Sequence, residues 1–230
     1  MYCISVNNRS LYRFVSPYIK ENMYVLIKGE KALVIDPNGL EEALNFIKAN
    51  GVCEVTIFLT HEHQDHTCGI PILEKNFQKL LICQEQCANK ILNKRNNRPL
   101  MTAFVLAVQD EKNGTNYEAE FIKNVKEYSC HADVIFKTDF VYNWCGEEFV
   151  FYHTPGHSQG SCCITWNNVA VFTGDSLLKD MPVITRFPGG NTKQYNQITK
   201  PYLDALSDNI LVLPGHGDDF VMKELREKVL

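Results

Sequence analysis

The run T-H-E-H-Q-D-H, Thr60 to His66, decides how the rest of the chain is read. Three of the seven histidines fall in it, with an aspartate among them. Imidazoles and carboxylates are costly to bury unpaired, so packing alone gives no reason to crowd them. His61 and His63 are two apart, and in an extended segment such side chains point the same way and reach one ion. Asp65 and His66 follow as the chain turns, offering an oxygen and a nitrogen to a neighbouring point. Neutral imidazole and carboxylate together suit zinc and related divalent metals.

Upstream of the histidines, C-E-V-T-I-F-L-T reads as a buried strand running directly into them. Before it, N-M-Y-V-L-I-K-G-E-K-A-L-V-I-D-P-N-G reads as two strands turned at Gly29-Glu30 and stopped at Asp36-Pro37. L-E-E-A-L-N-F-I-K-A-N-G carries helical spacing and a glycine stop. Strand, helix, strand and then a ligand-rich loop is the order in which open α/β sheets place their sites. Downstream, I-P-I-L-E-K-N-F predicts a helix and K-L-L-I-C a strand. Q-E-Q-C-A-N-K-I-L-N-K and Y-E-A-E-F-I-K-N-V-K-E-Y predict helices in a region broken by Pro99 and Asn113-Gly114. Strands follow in A-D-V-I-F-K, E-E-F-V-F-Y-H, S-C-C-I-T-W, V-A-V-F-T-G-D and I-L-V-L-P, and a closing helix in D-D-F-V-M-K-E-L-R-E-K-V-L.

Three of those late strands end in a ligand-type residue beside glycine: His157 in T-P-G-H-S, Asp175 in T-G-D-S and His216 in P-G-H-G. With the histidine loop they make seven candidate ligands, the number two metal ions use when one carboxylate bridges them. His131 and His153 fall outside this pattern and read as structural.

The 230 residues fit one large domain, 1–230, and 45% hydrophobic with 22% charged residues is ordinary for a globular protein. A net charge of -4 gives no basic field for nucleic acid. No apolar run is long enough for a membrane span. The first residues carry no basic head before an apolar run, and the nine cysteines form no C-x-x-C pair. Reduced thiols in a cytoplasmic protein, acting on a small molecule, are the expectation.

Taken in order, T-H-E-H-Q-D-H, T-P-G-H-S, T-G-D-S and P-G-H-G resemble the metallo-β-lactamase superfamily, and the likeness takes in the opening strands and I-D-P-N-G. The resemblance implies an α/β fold, an αββα sandwich with the metals at one edge between two sheets. It implies that His61, His63 and His157 hold one metal, that Asp65, His66 and His216 hold a second, and that Asp175 bridges them. The metals would be two Zn2+, with Fe or Mn compatible with the same donors. A metal-bridging hydroxide would be the nucleophile, and Asp65 the residue that orients it and shuttles a proton.

The bridging aspartate and G-D-S-L-L resemble the glyoxalase II branch, which implies a hydroxyacylglutathione hydrolase-like enzyme for a thioester or related ester. The residues after His216 are too few for that enzyme's helical C-terminal domain. Residues from about 90 to 130 are an insertion instead, either a helical lid over the metal edge or a peripheral element. Asp36 either makes a hydrogen bond that orients a metal-binding residue or simply forms the turn before Pro37. In T-R-F-P-G-G-N-T-K-Q-Y-N, Arg186, Lys193 and Tyr195 could bind an anionic substrate. The alternative from another class is a mononuclear iron oxidoreductase, sulfur dioxygenase-like, acting on persulfides. The complete second ligand set favours the two-metal hydrolase.

Overall fold

The apolar runs at 22–28 and 31–35 pair as an antiparallel hairpin, with Gly29 at φ +59° in the turn. In the computed structural model, which describes residues 1–124 and 126–227, that hairpin is the middle of a seven-stranded sheet. In chain order the sheet contains β1 (Tyr2–Val6), β2 (Arg9–Val15), β3 (Asn22–Lys28), β4 (Lys31–Ile35), β5 (Glu54–Phe58), β6 (Gln78–Gln84) and β7 (Val134–Phe136). The first four are antiparallel, and β4 to β7 run parallel. Parallel neighbours need crossovers, and helices supply them. α1 (Glu41–Ala49) joins β4 to β5, and α2 (Gln64–Thr67) with α3 (Ile70–Asn76) joins β5 to β6. Between β6 and β7 lie α4 (Glu85–Leu92), α5 (Leu100–Asn113) and α6 (Tyr117–Asn124).

A second sheet has the order β13-β12-β11-β10-β9-β8. Its strands are β8 (Phe140–Trp144), β9 (Glu147–His153), β10 (Cys162–Trp166), β11 (Ala170–Gly174), β12 (Leu211–Pro214) and β13 (Phe220–Val221). Between β11 and β12 the chain forms α7 (Thr192–Gln194), a π turn and α8 (Lys200–Asp204), and α9 (Met222–Glu227) follows β13.

The two sheets face each other. Tyr24, Leu26, Leu33, Ile35 and Phe58 meet Phe149, Phe151, Ile164, Trp166 and Phe172 across the gap. Phe58 packs edge-on against Phe149 and Phe151, with ring centroids 5.2 and 4.9 Å away. Burying such a ring is worth roughly 3 kcal/mol. Alternate residues of the same strands, Met23, Val25, Ala32 and Val34, point outward against Ala43, Ile47, Ile70, Leu73 and Ile91 of the helices. Both faces are therefore buried, which is why β3, β4 and β5 read as continuous apolar runs. Leu203 and Met222 cover the outer side of the second sheet against Val171 and Val212. The layers are helix, sheet, sheet, helix, the αββα arrangement.

The elements not foreseen are β1, β2, β8 and α5, together with the short α2, α7, π turn, α8 and β13. α5 starts after Pro99 and ends at Gly114, which takes φ +68° and donates its N–H to Asp110 O. Its apolar stretch Leu100–Val108 has no clean period and fits a strand as readily as a helix. The helix foreseen over 117–128 ends at Asn124. The closing helix is preceded by β13, and its foreseen residues 228–230 lie outside the described residues. All nine cysteines are free, and Cys3 and Cys53 are exposed. Among the described residues no helix is long and apolar enough to cross a membrane.

Candidate metal centre

β4, β5, β9, β11 and β12 all point their carboxyl ends at one edge of the sandwich. The chain leaves them through Asp36, Thr60–His66, His157, Asp175 and His216 respectively. Backbone bonds stitch the two sheets together there, Cys162 N–H to Thr60 O at 2.7 Å and Asn22 N–H to Gly215 O at 2.7 Å, and Gly215 N–H to Gly174 O at 2.8 Å extends the pairing of β11 with β12. All seven candidate ligands converge at this edge.

They form two groups. His61 Nε2 and His157 Nε2 lie 3.1 and 2.9 Å from His63 Nδ1. His66 Nε2 lies 3.3 Å from His216 Nε2, and Asp65 Oδ2 is 3.4 Å from the latter. Within each group the ligand atoms lie within 4.8 Å of one another. Asp175 stands between the groups. Its Oδ2 is 3.5 Å from His157 Nε2 and 3.6 Å from His216 Nε2, and its Oδ1 is 3.5 Å from His66 Nε2.

The outer nitrogens of four rings are already engaged, which aims the inner ones. His157 Nδ1 donates to Ile184 O at 2.8 Å, and His216 Nδ1 to Ile19 O at 3.0 Å. Asp36 organises one ring in each group. It accepts the Thr60 N–H at 2.8 Å, the Thr60 hydroxyl at 2.6 Å and His66 Nδ1 at 3.0 Å. With its proton given to Asp36, Thr60 Oγ1 accepts from His61 Nδ1 at 3.1 Å. Such outer hydrogen bonds fix tautomer and ring orientation at metal-binding histidines. Asp36 also lies within 4.8 Å of His61 and His66, but its oxygens are taken up by these three donors. The orienting role of Asp36 is thus the one the structure shows, alongside its left-handed φ of +52° in the turn.

The charges are uneven. Burial, together with the surrounding imidazoles, holds His61 well below its ordinary pKa. Burial and then His157 bring His63 down to about 3. Both are neutral imidazoles with lone pairs to offer. Burial also disfavours charge on His66, but Asp65, Asp175 and Asp36 outweigh it and raise its pKa. His216 is raised in the same way by Asp175 and Asp65 against its burial. Burial would raise Asp65 and Asp175, yet the neighbouring imidazoles win and hold both carboxyls below the usual range. A metal entering the second group therefore displaces a proton, as metals commonly do on binding histidine.

These residues fit a pair of divalent ions. Asp175 Oδ1 is buried and has no hydrogen-bond partner, which an ion between the groups would supply. Two ring nitrogens aimed at each other across 3.3 Å, each with its outer N–H committed, share a proton or, once it is displaced, face a common cation. Gly215 keeps that space open, since a methyl group there would run into Asp175 Oδ1 and His66 Cε1.

Glycine is equally required at Gly174, which takes φ +49° and whose added methyl would strike Thr60 Oγ1. Gly174→Ala is expected to cost roughly 3 kcal/mol through left-handed strain and overpacking. That is a fall of about 9 °C in Tm for a chain of this size. A thermal melt within 2 °C of the parent would contradict the packing of Thr60 on this turn, with the 2 °C margin set as about a quarter of the expected shift.

Arg186 is exposed on a loop held against the first group. Ile184 O receives His157, the Phe187 ring lies 6.3 Å from His63, and Asn191 N–H bonds Gly156 O at 2.8 Å. Lys193 is exposed at the start of α7. Tyr195 gives its hydroxyl to Ser176 O at 3.0 Å and packs on Gly156, so it braces the loop. Sequence reasoning missed the carbonyls of Ile19 and Ile184, since main-chain acceptors leave no signature in residue types. It also missed Glu21, whose backbone forms a β-bridge with His216 and whose side chain is fully buried. Burial raises its pKa well above the ordinary value. A cleft of about 410 Å³ opens at the opposite edge, beside Lys31, Glu54, Lys79 and Trp144, and contains none of the candidate ligands.

Comparison with known proteins agrees with this geometry. Residues 19–216 match the model of the metallo-beta-lactamase superfamily. A probable metallo-hydrolase of Streptococcus pyogenes serotype M6 is 26% identical over 212 residues, covering 90% of this chain and 83% of that one. The crystal structure of the BLEG-1 B3 metallo-beta-lactamase superposes with a TM-score of 0.73 at 22% identity, covering 94% of this chain and 96% of that one. The crystal structure of TTHA1623 in a di-iron-bound form gives a TM-score of 0.65 at 21% identity, covering 92% and 95%. With its fold, its site edge and this match spanning most of its length, the chain belongs to the metallo-beta-lactamase superfamily.

Proposed function

We propose that the protein is a dinuclear metal-dependent hydrolase of a thioester or related ester, similar in reaction to hydroxyacylglutathione hydrolases. The observation that carries the reading is the position of Asp175, within 3.6 Å of nitrogens from both histidine groups. His61, His63 and His157 would hold one metal, Asp65, His66 and His216 the other, and Asp175 both. A divalent metal pair supplies Lewis acidity and a water acidic enough to act as nucleophile near neutral pH. Asp65, 3.4 Å from His216 Nε2 and 3.7 Å from His66 Nε2, orients that nucleophile and takes its proton. Arg186 and Lys193 attract an anionic group on a small-molecule substrate, beside the loop that fixes His157. Zinc suits the donors, and iron and manganese bind the same types. The di-iron form of the fold relative supports keeping iron in view.

A second reading, a mononuclear iron oxidoreductase acting on persulfides, needs only the first group and Asp175. The complete second group favours two metals. Elemental analysis of protein purified without added metal decides between them. About two metals per chain, with turnover in a panel of thioesters and esters, is expected from the seven-ligand site. A single iron with oxygen uptake on persulfides would replace the hydrolase reading. Stripping the metals with a chelator is expected to lower stability by about 4 kcal/mol for each site held at a thousandfold its Kd. An unchanged melting curve would count against metal binding altogether.

A further inference from the structure

The inserted helices grip the metal centre on one side. Tyr128, where the chain returns from α6, places its hydroxyl 2.5 Å from Thr67 Oγ1 and 3.4 Å from Gln64 O. Thr102 of α5 donates to Gln64 Oε1 at 3.1 Å. Gln64 to Thr67 is α2, the short turn that carries Asp65 and His66. A helix of four residues is too short to hold its own geometry, so its place is set by what packs on it. On the other flank Ala103, Leu106 and Phe121 enclose Tyr18 and Ile19. The Tyr18 ring meets Tyr117 and Phe121 edge-on at 5.8 and 6.0 Å. Ile19 O is the acceptor that aims His216. The insertion thus reaches all three residues of the second group through two separate arms.

It is closed at its base and at its corner. The buried Asn97 amide ties Ile91 O to Tyr128 O, at 2.6 and 2.9 Å. At the corner between the helices Asp110 accepts from Thr115 Oγ1, Tyr117 N–H and Glu118 N–H. The rings of the first group are oriented by other parts of the fold, although Thr67 Oγ1 also donates to His63 O at 3.0 Å. The outer nitrogens of His61 and His157 are taken by Thr60 and Ile184, and among the described residues the insertion makes no hydrogen bond to any ring of that group.

We propose that the α5–α6 insertion is a clamp that positions Asp65, His66 and His216, and so sets the affinity for the second metal independently of the first. The inference rests on the two-metal reading above. Tyr128 is its principal positioning residue, acting through Thr67, and Phe121 acts through Tyr18 and Ile19.

The test is a stepwise titration of the metal-free full chain with zinc against a competing chromophoric chelator. It resolves two binding constants for the parent, Tyr128→Phe and Phe121→Ala. Both variants are expected to weaken the second constant about tenfold or more, while the first stays within about twofold. Val212→Ala, on the outer face of the second sheet, serves as a control that lowers Tm without changing the ratio of the two constants. A ratio unchanged in both clamp variants, or two constants that fall together, would overturn the clamp. Uptake of one metal or none by the parent chain would instead overturn the two-metal reading, so the two failures are distinguishable.

Discussion

Asp65→Ala abolishes hydrolysis in the expected outcome, with kcat falling about a thousandfold as for loss of a positioned acid–base group. The carboxylate lies 3.4 Å from His216 Nε2 and 3.7 Å from His66 Nε2, and those imidazoles hold it ionised against its burial. No other acid replaces it: Asp175 is engaged between the two groups, and Asp36 is saturated by three donors. The side chain is at the rim of the sheets rather than within their packed faces, so the fold survives. Turnover and circular dichroism on the same sample check both halves of the claim. Full activity in the variant would remove Asp65 from the mechanism.

Asp36→Ala is expected to cost roughly 3 kcal/mol, because it strands a buried Thr60 N–H, the Thr60 hydroxyl and His66 Nδ1 together. It also frees the His61 ring, since Thr60 Oγ1 no longer has a fixed place for its proton. One substitution therefore loosens both groups, and both metals are expected to bind about 10- to 100-fold more weakly. Asp36→Asn separates the two effects. It keeps the volume and tolerates the left-handed backbone, but points an N–H at a donor. Chemical denaturation and metal titration of the two variants provide the check. Metal constants like those of the parent in Asp36→Asn would show that the rings are aimed by packing alone.

Much of the site was legible because its signals are local. A strand running into T-H-E-H-Q-D-H announces both the candidate ligands and the edge they occupy, since two-residue spacing in extended chain puts His61 and His63 on one side. The apolar run before it announced a buried strand, and the resemblance implied the sandwich around it. The opening hairpin of β1 and β2 was not legible, because its mixed polar surface lacks that signal. α5 stayed hidden because its apolar run has no period that separates helix from strand. Asp36 was left between two roles, and only its three donors settle it.

The sequence by itself determined the residue types of the centre and the strand ends that carry them, because these follow from short-range pattern. The residue pattern by itself did not say which candidate ligands share a point; the family resemblance implied the grouping, and the tertiary structure brings those groups together. His66 and His216 are 150 residues apart in the chain yet 3.3 Å apart in space, and no local rule relates them. It also decided which nitrogen of four of the five rings faces inward, through Asp36, Thr60 and the carbonyls of Ile19 and Ile184. Side-chain identity fixes what a group can coordinate, whereas direction is set by partners that only the closing of the two sheets brings into reach.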